Sequence, residues 1–234
     1  MAIPKKHISS VSTVVFDCDD TLWSSDFLRD LIAVAESLQI PQENIISFAK
    51  ALQKAVWQVF DFHLDNKVTR DSIEIALERL LSNEISAYGI TSSSIYDALS
   101  HPTFCSCQAD PESLDVISYL YKKGYKLVVK SDWFSNVQIN HMQNFGYLQY
   151  FEFIVGPVGD YFKPDPRGAA KIIGSNDPSH FVMIGDSQNR DVQFANNVGM
   201  FSIWINKGNN LRISGKKFSP TYEIQRLSEL KSIL

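Results

Sequence analysis

The period of the hydrophobic positions changes along this chain. Residues 13–17 (TVVFD) form a short, β-branched apolar run, the pattern of a buried strand. Phe27, Leu31, Ala35 and Leu38 then recur at helical spacing, as do Ile45, Phe48, Leu52, Ala55, Val56 and Val59. Pro41 suits the first turn of that second helix. A third set, Ile73, Leu77 and Leu80, follows Thr69, a good N-cap. A shorter helical set covers roughly 93–100. Nothing between about 26 and 104 reads as a strand.

Strands and helices alternate beyond that point. Asp110 and Pro111 predict a helix start, with Leu114, Ile117 and Leu120 as its apolar stripe. Lys122 and Lys123 suit the negative end of the helix dipole, and Gly124 suits the C′ position. A strand over 125–130, a helix over about 136–145 ended by Gly146, and a strand over 151–155 come next. Asp165 and Pro166 predict another helix start, ending near Gly174. A strand over 181–184, a helix over about 189–198 stopped by Gly199, and a strand over 200–205 follow. Residues 206–234 read as a short strand and helix closing the domain edge. Such alternation implies right-handed crossovers and a parallel sheet covered on both faces. The expected fold is therefore α/β, with an all-helical insertion after the first strand.

Composition narrows the classes. The chain has 234 residues, enough for one or two domains, with 44% apolar and 21% charged residues. That balance excludes disorder and fibrous repeats. Basic and acidic residues number 22 and 26, giving a net charge of −4, so no nucleic-acid partner is expected. Cys18, Cys105 and Cys107 are too few for a disulfide scaffold. The N-terminal apolar run is interrupted by Ser and Thr and stops at Asp17, so no signal peptide is expected. No run approaches the length of a membrane span. The expectation is a cytoplasmic protein without a membrane partner, a monomer or small homo-oligomer.

In an open α/β sheet the site lies at the carboxyl ends of the strands. Those ends carry Asp17-Cys18-Asp19-Asp20-Thr21, then Lys130-Ser131-Asp132, then Lys163-Pro164-Asp165-Pro166, then Gly185-Asp186-Ser187 with Asp191 beyond. Converging carboxylates repel and call for a cation, and oxygen ligands favour Mg²⁺. One carboxylate can serve as nucleophile and another, two residues on, as general acid and then base. A hydroxyl, loop amides and a lysine suit phosphoryl oxygens.

With VVFDCDDTL at 14–22, Ser131 after an apolar strand, Lys163 in KPDP, and GDS at 185–187 followed by Asp191, the chain resembles the haloacid-dehalogenase-like (HAD) hydrolase superfamily. The resemblance covers nearly the whole chain and implies a Rossmann-like core (1–24 and 105–234) with a helical C1 cap (25–104). It implies Asp17 as nucleophile and metal ligand, and Asp19 as general acid/base and metal ligand through its backbone carbonyl. Asp186 and Asp191 would complete the Mg²⁺ site. Thr21 and Ser131 would hold the phosphoryl group, with Asp132 beside it, and Lys163 would neutralise charge on Asp17 and the phosphoryl oxygens. The first and fourth core strands would be adjacent. Dehalogenases of the superfamily lack an Asp at the position of Asp19, so the implied activity is a phosphatase acting on a small phosphorylated metabolite through an aspartyl-phosphate. A phosphomutase, or a non-catalytic binding protein on the same scaffold, is the alternative. Trp23 resembles a feature of some phosphotyrosine-directed relatives, which lack a large cap.

Other residues read more plainly. Cys18 should point away from its flanking aspartates into packing. One Cys105/Cys107 pair cannot fill a tetrahedral zinc site. The histidines at 7, 63, 101, 141 and 180 are scattered, as surface or capping residues are, with His63 at a cap-helix end. Trp57, Phe60 and Phe62 read as cap packing, a ring facing the substrate being the alternative. Arg70, in the polar segment 63–71, reads as a solvated first-turn arginine, or else as a contact to a second anionic group. Asp132 beside a phosphate would be repulsive unless Lys130 or another cation offsets it.

Overall fold

The computed structural model describes residues 8–62, 66–102, 106–208 and 210–234, the side chain of Phe62 excepted. Six strands form one parallel sheet in the order β5–β4–β1–β6–β7–β8. They are β1 (Thr13–Phe16), β4 (Lys126–Lys130), β5 (Phe153–Val155), β6 (Phe181–Gly185), β7 (Phe201–Ile205) and β8 (Tyr222–Ile224). As expected, β1 and β6 are neighbours, with Phe16 opposite Ile184.

Side-chain alternation divides the sheet cleanly. Val14, Phe16, Leu127, Val129, Val182, Ile184, Ile203 and Ile205 pack on one face with α6 (Ser113–Lys122), α7 (Ser135–Asn144) and α10 (Leu230–Ile233). Val15, Val128, Phe181 and Met183 pack on the other with α8 (Ala170–Ile173) and α9 (Gln193–Val198). Cys18 joins the first face, fully buried, and burial pushes its thiol pKa up.

Between β1 and β4 the chain runs through α1 (Phe27–Ser37), α2 (Ile45–Phe62), α3 (Arg70–Leu80), α4 (Ser82–Tyr88) and α5 (Ser92–Leu99). Their apolar faces form a separate cluster, including Leu31, Phe48, Leu52, Ile73, Leu77 and Ile95. It rests on Phe134, Val137 and Phe162 of the strand-end loops and α7. The helices between Phe27 and Leu99 thus lie on the strand-end loops, where the expected helical insertion would sit. A two-stranded antiparallel ribbon, β2 (Trp23–Ser24) with β3 (Gln108–Ala109), joins the chain entering the helices to the chain leaving them. Thr69 caps α3 in a reciprocal box with Ser72.

Several boundaries differ from expectation for local reasons. The helix after Asp110 begins at Ser113, because Asp110 closes a turn by accepting the Glu112 amide. Its buried stripe is Val116, Ile117 and Leu120, whereas Leu114 is exposed. Pro41 precedes a 3₁₀ turn (Gln42–Asn44) rather than opening α2. The ribbon strands and α4 are too short to leave a periodic signal. No helix among the described residues is long and apolar enough to cross a membrane.

Candidate active site

All the expected site residues except Thr21 line one cavity of about 450 Å³ between the strand ends and α1–α2. Asp17 follows β1 and is almost fully buried. Lys163 Nζ bridges it to Asp191, at 2.6 Å from Asp17 Oδ1 and 2.5 Å from Asp191 Oδ1. Burial opposes the Lys163 ammonium, but Asp17, Asp191 and Asp132 outweigh it and hold its pKa above the ordinary lysine range. Thr21 is buried behind Asp17, its hydroxyl 3.5 Å from Oδ2.

Asp186 sits just beyond β6. The chain then makes one wide π-helical turn over Gln188–Val192, closed by the Asp191 and Val192 amides donating to Ser187 O. That turn brings Asp191 back against the strand end. Any side chain on Gly185 would place its Cβ 2.2 Å from the Asp191 carboxyl. One oxygen each from Asp17, Asp186 and Asp191 lie within 4.8 Å of one another. Burial, aided by repulsion from Asp191 and Asp186, raises the Asp17 pKa well above its ordinary value, although Lys163 opposes this. Burial, Asp191 and Asp20 push Asp186 up to about 7. One ammonium therefore leaves these carboxylates under-compensated. An all-oxygen donor set with residual negative charge fits a hard divalent cation such as Mg²⁺.

Asp19 is held by residues the sequence reading left unassigned to the site. Trp23 Nε1 donates to Oδ1 at 2.9 Å, and Gln138 Nε2 donates to Oδ2 at 2.7 Å. Gln138 Nε2 also lies 2.9 Å from Ser131 Oγ, tying the second and first strand ends together. Burial raises the Asp19 pKa, while these hydrogen bonds and nearby His141 hold it down. His141 is 95% buried in the cavity wall: its relative exposure is 5%, it lies edge-on to Trp23, and its Nδ1 is 3.9 Å from Cys107 Sγ. This corrects the surface reading for His141. His101 and His180 are exposed, whereas His7, His63 and Cys105 lie outside the described residues. The missed signal is polar residues on the buried face of α7, where Gln138 and His141 share a stripe with Val137 and Met142.

The offset of Asp132 comes from Arg190. Asp132 Oδ2 accepts Arg190 Nε at 2.7 Å, and Oδ1 accepts the Lys163 amide at 2.9 Å. Despite burial, Arg190 with Lys163 and Lys130 pulls the Asp132 pKa below its ordinary value. Lys130 acts on Asp132 without a direct contact, its Nζ donating to Tyr161 O at 2.7 Å. Arg190→Gln should therefore cost about 3–5 kcal/mol by stranding the buried Asp132 carboxylate, as read by urea unfolding. Lys130→Met should leave kcat within about twofold, because its head group bonds a carbonyl outside the site.

The cap side of the cavity is aromatic: Trp57 and Phe60 line it and also pack against neighbouring rings, so both roles the sequence left open are occupied by the same side chains. Arg70 instead pairs with Glu74 at 2.6 Å and Asp97 at 2.8 Å and does not line the cavity.

Fold and site together define a capped α/β protein with an acidic, lysine-bridged centre at its strand ends. A family model for haloacid dehalogenase-like hydrolases matches residues 11–199, and the chain belongs to that family. The HAD-hydrolase YfnB of Bacillus subtilis, crystallised with bound magnesium, is 23% identical and superposes with a TM-score of 0.68 over 96% of this chain and 98% of its own. The pyrimidine 5′-nucleotidase PynA of Streptococcus pneumoniae is 24% identical, covering 94% of each chain. A glyceraldehyde 3-phosphate phosphatase of Methanopyrus kandleri is 22% identical, covering 96% of this chain and 97% of its own.

Proposed function

We propose that this protein is a Mg²⁺-dependent phosphatase that hydrolyses a small phosphomonoester through an aspartyl-phosphate. The observation that carries the reading is the pair Asp17 and Asp19 at one strand end. Asp17 is held by Lys163 beside two further carboxylates, while Asp19 is held separately by neutral donors. The names of the curated relatives, a nucleotidase and a triose-phosphate phosphatase, support the same reaction class.

A carboxylate oxygen of Asp17 would attack phosphorus as the bond to the leaving oxygen breaks, and Asp19 would give that oxygen a proton. A water would then pass a proton to Asp19 and attack the phosphoryl group, freeing phosphate and restoring Asp17. Burial raises the Asp19 pKa, which favours the protonated form this role needs. Lys163 and Ser131 would hold phosphoryl oxygens, Thr21 would position Asp17, and Asp132 would act by fixing the Lys163 backbone and Arg190. Asp17, Asp186, Asp191 and the Asp19 carbonyl would hold Mg²⁺, which supplies charge neutralisation for the phosphoryl oxygens.

Phosphate release from a panel of phosphomonoesters should require Mg²⁺ and stop in EDTA. Equal release with the metal stripped would overturn the metal assignment. Gln138→Leu should lower kcat about tenfold. The alkaline limb of its pH profile should move upward, because losing a donor to the carboxylate lets burial raise the pKa of Asp19, the general acid, further.

A further inference from the structure

Four rings line the cap side of the cavity: Phe27 of α1, Trp57 and Phe60 of α2, and Trp133 after β4. Their centroids close a circuit, with Phe27–Trp57 at 5.8 Å, Trp57–Phe60 at 5.5 Å, Phe60–Trp133 at 6.4 Å and Trp133–Phe27 at 5.5 Å. Each pair meets edge to face, so the rings brace one another in fixed orientations. Trp57 is nevertheless 52% exposed, so part of its indole is open to solvent at the edge of the circuit.

Charge at this end is one-sided. The cap's charged lining residues are Asp30 and Asp61, and among the described residues the cap contributes no Lys or Arg to the cavity. The lining Lys and Arg are Lys163 and Arg190, both from the core and both engaged with carboxylates. An ester with a second phosphate or a carboxylate on its leaving group would meet aspartates and find no cation of the cap to pair with. A flat, uncharged ring bearing N–H or O–H donors would stack on the indoles and offer a hydrogen bond to Asp61, Asp30 already accepting the Ser106 amide at 2.6 Å.

Building on the phosphatase reading above, we propose that the leaving group is a heteroaromatic nucleoside, bound by the Phe27–Trp57–Phe60–Trp133 wall, so that the substrate is a nucleoside monophosphate. A cavity of about 450 Å³ is of the size that holds such a ligand. Trp57 closes the base subsite from the solvent side.

The test compares kcat/KM for uridine 5′-monophosphate, glycerol 2-phosphate, phosphoglycolate and phosphocholine with Mg²⁺. It adds quenching of tryptophan fluorescence by uridine 5′-monophosphate in Asp17→Asn. The nucleotide should exceed each other ester at least tenfold. Trp57→Ala should cut the nucleotide-to-glycerol-phosphate ratio about tenfold, the low end of the range for stacking one base because the ring is half exposed. Trp57→Phe should restore most of that ratio. Fluorescence quenching should weaken with Trp57→Ala in the same measure. Phosphoglycolate or phosphocholine matching the nucleotide would overturn the nucleoside assignment and leave the phosphatase standing. An equal loss for all esters in Trp57→Ala would also overturn it, leaving Trp57 a packing residue. Turnover of no ester together with intact quenching would sink the phosphatase reading alone, and absence of both would sink both.

Discussion

Asp17→Asn should abolish turnover, with kcat falling by at least about 10⁴-fold, the scale seen when a nucleophile is removed from a site that works as a unit. An amide cannot form the aspartyl-phosphate, and Ser131 is occupied with Gln138 and the Trp133 amide. Stability should move the opposite way. The folded Asp17 carboxyl titrates above its ordinary value of 3.8, so ionising it costs stability. That cost grows from about that pH up to the folded pKa and persists above it. Asn carries no such cost, so the variant should melt at or above the parent temperature at neutral pH in EDTA. Phosphate release and a melting curve on the same sample check both halves. An inactive variant that also unfolds early would mean that Asp17 is a structural partner of Lys163.

Lys163→Met should be the most damaging single change to the metal-free fold. It removes the one ammonium shared by Asp17 and Asp191, leaving both carboxylates buried without it. Breaking a buried pair in this way costs about 3–5 kcal/mol. Losing the cation opposite the phosphoryl oxygens should also lower kcat/KM by about 10²–10³-fold. Mg²⁺ should recover part of the stability by replacing the missing charge, but little of the activity. Combining Lys163→Met with Asp17→Asn should cost less stability than the sum of the two single changes, since the removed charges face each other. Chemical unfolding with and without Mg²⁺ reads this directly. A purely additive pair would show that the 2.6 Å contact contributes nothing.

The chain order of elements was readable because the alternation of buried and polar positions changes where the topology changes. β1, the helices from Phe27 to Leu99 and the βα repeats all carry it. The backbone-placed part of the site was readable for the same reason: Asp17, Ser131 and Asp186 follow strands directly, and strand ends converge in a parallel sheet. What escaped was set by side chains meeting across long sequence distances. Arg190 reaches Asp132, and Gln138 reaches Asp19 from α7. A lysine at 130 beside Asp132 looked like its partner in sequence, yet its ammonium is taken by the Tyr161 carbonyl and Arg190 makes the direct contact. Trp23 looked like a feature of protein-directed enzymes, whereas its indole is buried and spends its N–H on Asp19. Aromatic spacing on α2 also fits either packing or a substrate wall, and the choice depends on Trp133 and Phe27 arriving from elsewhere.

The ribbon of β2 and β3 bears on how the chain assembles. The central strands β1 and β4 pair Thr13 with Lys126, so β1 cannot join β4 until that long intervening stretch has been closed. Closure entropy grows with loop length, and such pairings fold slowly. The helices between them make mostly near-neighbour contacts and can form early, bringing Trp23 and Ala109 within reach of each other. Once that clasp forms, the strands are joined by residues 17–22 on one side and by 110–125, with α6, on the other, instead of the whole insertion. Mutations that loosen the helices should then slow refolding of the sheet, even where they touch none of its strands.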